Sequence, residues 1–93
     1  MSQAPRYEQG ELDASSWNVE SILRHEGYTV SKKEGLTDYE RQAILRKVIE
    51  NGKMVRNQAI DHIELQINLR KHNSIYNIAI SKWERDLMFL KSL

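Results

Sequence analysis

The chain of 93 residues contains no cysteine. That removes disulfide frameworks, thiolate nucleophiles and every cysteine-based zinc site. Small secreted domains usually depend on such staples, so the absence favours an intracellular, cytoplasmic setting. One proline and four glycines are too few for the dense turns of an all-β sandwich. No apolar run approaches the roughly 18 residues of a membrane span, and no membrane partner is expected. Residues Met1 to Arg6 lack the hydrophobic stretch of a signal peptide. Repeats and low-complexity tracts are also missing.

What is present is a chain of ordinary globular composition, 40% hydrophobic and 29% charged, which is too apolar for a disordered one. Its formal charge of +1 hides an asymmetry. Residues 1–40 carry eight acids against four bases, and residues 41–93 carry ten bases against five acids. Such a split either marks a half that faces nucleic acid or lets two halves attract within one domain.

Residues 1–14 read as a polar, flexible arm, broken by Pro5 and Gly10 and anchored only by Tyr7 and Leu12. Residues 15–93 form one helical domain. Ser15 or Ser16 is a candidate cap for a first helix over Trp17–Glu26, with Trp17 or Val19, Ile22 and Leu23 inward. Gly27 stands where a left-handed C-terminal cap belongs. Tyr28-Thr29-Val30 is a short extended stretch. The second helix opens on a capping box, Thr37-Asp38-Tyr39-Glu40, and closes on Asn51-Gly52. Its buried stripe is expected to be Tyr39, Ala43 or Ile44, Leu45, Val48 and Ile49, with Arg41, Gln42, Arg46 and Lys47 facing water.

The third element, Arg56 to His72, carries two periods. Ile60, Ile63 and Ile67 have helical spacing, while Ile63, Leu65, Ile67 and Leu69 alternate as in a half-buried strand. Length and composition favour a helix with Leu65 and Leu69 widening its apolar face. Asn73 or Ser74 caps a last helix over Ile75–Lys91, with Tyr76, Ala79, Ile80, Trp83, Leu87 and Leu90 in one stripe. The expected fold is therefore all-α: a compact bundle of about four helices with one extended segment.

Catalytic signatures are sparse. His25, His62 and His72 include no i, i+4 pair for a metal, and no serine sits in a nucleophile elbow. Glu84 and Asp86 are two apart on a helix and point in different directions. No cofactor, metal or catalytic residue is assigned, leaving an unfamiliar constellation around His62 and Asp61 as the only enzymatic reading.

Two surfaces remain. Ile78, Met88, Phe89 and Leu93 lie off the main stripe of the last helix, and an exposed patch there would bind a protein partner or a second copy of the chain. The junction of the second and third helices has the outline of a helix-turn-helix. Arg56, Asn57 and Gln58 would then meet base edges while Arg46, Lys47 and Lys53 touch phosphates. Against it, the connection Asn51–Val55 is longer than the usual turn, and Asp61 and Glu64 would repel phosphate.

Three runs carry a resemblance: Ile22 to Val30 (ILRHEGYTV), Gly35 to Leu45 (GLTDYERQAIL) and Ile80 to Leu87 (ISKWERDL). Over residues 17–91 they resemble a small helical module of bacterial and phage proteins. The resemblance implies an accessory domain appended to nucleic-acid-processing or defence-related proteins, without a nameable activity or any functional residue. Together these observations predict a non-catalytic interaction module for a macromolecular partner, with protein first and nucleic acid as the alternative.

Overall fold

The computed structural model describes residues 11–31 and 34–93, with side chains from Asn18 onward. Among the described residues, four α-helices and one short 3-10 turn form the bundle: α1 Glu11–His25, α2 Asp38–Glu50, α3 Arg56–Arg70, the turn Ser74–Tyr76, and α4 Asn77–Ser92. Helix α4 is central, packing on both α2 and α3, and α1 closes the bundle against α3 and α2. There is no strand among the described residues, so the third element is a helix and its alternation is incidental. No helix among them is long and apolar enough to cross a membrane.

Both glycine caps form as expected. Gly27 and Gly52 have φ of 93° and 75°. At each, the glycine and the residue after it bond back into the preceding turn. Gly27 N–H donates to the Arg24 carbonyl and Tyr28 N–H to that of Leu23; Gly52 N–H donates to Ile49 and Lys53 N–H to Val48. This doubly bonded ending satisfies carbonyls that the helix leaves orphaned and turns the chain sharply. The Thr37 box is also complete, Glu40 N–H donating to Thr37 Oγ1 at 3.1 Å and Thr37 N–H to Glu40 Oε1 at 2.9 Å.

The core gathers Val19 and Leu23 of α1, Leu45 and Val48 of α2, Ala59 and Ile63 of α3, and Leu90 of α4. Met54 joins them from the α2–α3 connection. The length of that connection thus has a packing reason: it carries a large side chain inward. Ile44, Ile60, Ile67, Trp83 and Leu87 pack around the edge.

Several expectations need correction. Helix α1 starts at Glu11, so Ser15 and Ser16 lie inside it and do not cap it. Residues 11–14, assigned to the arm, are therefore helical. The rest of the arm with Tyr7, and the side chains of Leu12 and Trp17, fall outside the described residues. Tyr39 is 82% exposed, and Arg41 takes the inward place on α2 with 1% exposure. The inward face of α4 is rotated from its apolar stripe toward Ala79, Lys82, Asp86 and Leu90, because Asp86 is the partner of Arg41. These reversals on α2 and α4 share a cause: a buried carboxylate needs a counter-charge and draws the guanidinium inward. Leu65 and Leu69 are exposed, so α3 buries one side and not two.

Candidate functional site: a groove beside a buried charge network

Asp86 is fully buried and accepts from three side chains. Arg41 Nε donates to Oδ2 at 2.7 Å and Nη2 to Oδ1 at 3.2 Å. The Tyr28 hydroxyl donates to Oδ2 at 2.7 Å, and Gln42 Nε2 to Oδ1 at 3.4 Å. The Arg41 guanidinium also donates to the Leu36 carbonyl at 2.9 Å and to Asp38 Oδ1. Asp38 in turn accepts from Arg85 Nε at 2.8 Å. The network pins α2 to α4 and holds the segment after α1 down onto α4.

The protonation states follow from these contacts. Burial opposes the charge on Arg41, but its hydrogen bonds to Asp86 and Asp38 outweigh burial and raise its pKa. Burial, then the Asp86 charge, then the hydrogen bond to Asp86 push the Tyr28 phenol well above its ordinary value of 10. Hydrogen bonds from Arg85 and then Arg41 hold the Asp38 carboxyl below its usual range. Tyr28 therefore remains a donor and Asp38 an acceptor under neutral conditions.

Tyr28 also forms part of the wall of an open groove of about 550 Å³. That volume falls within the range of sites that hold small ligands or peptide side chains. Glu20, Leu23 and Arg24 of α1 line it, together with Thr29, Val30 and Ser31 from the segment that follows. His62, Gln66 and Arg70 of α3 also line it, as do Ile75 of the 3-10 turn and Ile78 and Trp83 of α4. Ile75 is 76% and Ile78 44% exposed. Arg70 lies over Tyr76 and Trp83, 5.4 and 5.9 Å from the ring centres, and bonds Gln66. Desolvation lowers the pKa of His62, with the Glu20 charge opposing the shift. His62 is thus neutral at pH 7.

The sequence-expected residues scatter. Ile78 lines the groove. Met88 lies ten residues further along α4, about 15 Å at the rise of an α-helix. It is exposed, as is Leu93, but neither adjoins Ile78 in one patch. Phe89 is half-buried against the core with the Arg46 guanidinium 5.5 Å from its ring centre, which corrects its assignment to an exposed surface.

On the nucleic-acid side, Arg56 donates to the Lys91 carbonyl at 3.3 Å. Gln58 accepts the Val55 N–H at 2.9 Å, and Lys53 pairs with Glu26. Lys47 and Asn57 are exposed. Helices α2 and α3 pack chiefly on α4 and α1, unlike the mutually packed pair of a helix-turn-helix. The structure does not bring Asp61 and His62 together: His62 is buried and Asp61 is exposed. Among the described residues no cluster of three His, Asp or Glu side chains is placed to hold a metal ion.

Sequence reasoning missed the groove and its Arg70. Leu23, Tyr28, His62, Arg70 and Ile75 come from four separate segments, and no spacing along the chain connects them. No family model, curated protein or solved structure matches the chain.

Proposed function

We propose that this protein is a non-catalytic, cytoplasmic interaction module that binds a protein partner through the groove between α1, α3 and the start of α4. The observation that carries the reading is the exposure of Ile75 and Ile78 on the wall of a concave, mixed-polarity site. Exposed apolar side chains beside convergent polar groups are what a partner segment covers. The network behind Tyr28 supports it further, because a wall fixed by a hydrogen bond to the buried Asp86 loses little entropy on binding.

The test is a paired substitution, Ile75→Asp with Ile78→Asp, measured for partner binding and for folding. Binding is lost while the helical circular dichroism is retained, since Ile75 is largely and Ile78 partly exposed and neither belongs to the core. Undiminished binding in the double variant refutes the groove as the interface.

The rival is nucleic-acid binding through Arg46, Lys47, Lys53, Arg56, Asn57 and Gln58, and it has less support. Arg56, Gln58 and Lys53 already serve internal contacts. It predicts a mobility shift that weakens steeply with salt and with Arg56→Ala.

A further inference from the structure

The charges in the groove are unequally paired. Glu20 and Arg24, one helical turn apart on α1, form an ion pair with each other. Arg70 has no such partner. Its contacts are the neutral Gln66 amide and the faces of Tyr76 and Trp83, and among the described residues no carboxylate pairs with it. A guanidinium carries five N–H donors in a rigid fork matched to a carboxylate, and Gln66 occupies one of them. Both rings hold the fork in place, and Ile75 and Ile78 lie beside it on the same groove.

Resting on the groove reading above, we propose that the occupant is a partner segment combining an acidic residue with large apolar side chains, its carboxylate seated on Arg70. The carboxylate supplies the missing counter-charge in a partly desolvated place, where a charge-assisted, two-point contact is stronger than on open surface. The apolar side chains cover Ile75 and Ile78. A basic segment would meet uncompensated positive charge and be rejected. A nucleic acid fits less well, because one guanidinium among aliphatic side chains is not a track of phosphate contacts.

The experiment is selection of a randomised short-peptide display library on the purified full chain. The best peptide is then titrated by Trp83 fluorescence in a Trp17→Phe background. Enriched peptides should pair an acidic residue with large apolar ones. Changing that acid to its amide should weaken binding about tenfold, the factor that corresponds to about 1.4 kcal/mol. Arg70→Met should weaken the acidic peptide equally and leave the amide form unchanged, a coupling that general loss of structure does not produce. Should Arg70→Met not fold, the acid-to-amide change in the peptide on the unsubstituted protein and Arg70→Gln, which also removes the charge, give the same comparison.

Enriched peptides that are neutral or basic, yet lost on Ile75→Asp, would overturn the carboxylate assignment and leave the groove reading standing. Peptides indifferent to Ile75→Asp, or no enrichment at all, would remove both. Displacement of the peptide by a short oligonucleotide in an Arg70-dependent way would overturn the proposal in favour of a nucleic acid.

Discussion

Replacing Asp86 by alanine leaves Arg41 buried with no counter-charge on α4 and strands the Tyr28 hydroxyl. Asp86 is 0% and Arg41 1% exposed, so water cannot substitute for the lost carboxylate without opening the core. Breaking one side of a buried pair costs about 3–5 kcal/mol. For a chain of this size, whose whole stability is of the order of 5–15 kcal/mol, that is a large fraction. At roughly 4–8 °C per kcal/mol, the thermal midpoint falls by about 12–40 °C. The remaining carboxylate partner of Arg41, Asp38, does not rescue it, being half exposed and shared with Arg85.

Urea unfolding followed by circular dichroism measures the loss, and a thermodynamic cycle with Tyr28→Phe separates its parts. Tyr28→Phe alone removes one hydrogen bond to a charged group, about 1.5–3 kcal/mol. The pair of changes costs less than their sum because they share the Asp86 carboxylate. A cost below about 1 kcal/mol for Asp86→Ala, well under that of a broken buried pair, or strict additivity with Tyr28→Phe, would refute the reasoning.

Two other outcomes follow from the same structure. His62 has a folded-state pKa depressed below 6.5 by burial, so its contribution to stability is present above pH 6.5 and is lost as pH falls through the folded value. An NMR titration should place its midpoint below 6.5, and His62→Gln should flatten the stability profile just below that pH. A separate loss at lower pH, from Asp38 below its ordinary 3.8 and Glu26 below its ordinary 4.5, should survive that substitution. At Gly52, φ is 75° and an added Cβ would meet nothing within 4 Å. Gly52→Ala should therefore cost only the left-handed backbone term, about 1–2 kcal/mol in denaturant unfolding, and a neutral or stabilising result would contradict the cap geometry.

The parts of the fold legible in the sequence are those set by neighbours along the chain. Thr37 with Glu40, Gly27 and Gly52 all act within one helical turn, and each formed as its local chemistry dictates. The helices themselves were legible from their apolar spacing, Leu45 with Val48 being the clearest. What failed depended on partners far away in sequence. Arg41 turns inward only because Asp86, 45 residues on, is waiting there, and neither residue announces this by its type. Leu65 and Leu69 are exposed because α3 meets α4 and α1 along its other side. Of the candidate surface, Ile78 alone among the four residues singled out on the last helix lies on the groove, since the groove is assembled across segments and leaves no period to detect.

The most direct test of the central claim is an amide NMR map of the labelled chain titrated with a peptide selected on it. Binding through the groove predicts shifts concentrated at Leu23, Tyr28, His62, Arg70, Ile78 and Trp83, with Lys47, Asn57 and Gln58 unmoved. Shifts centred on Lys47, Asn57 and Gln58, with the groove silent, would contradict it.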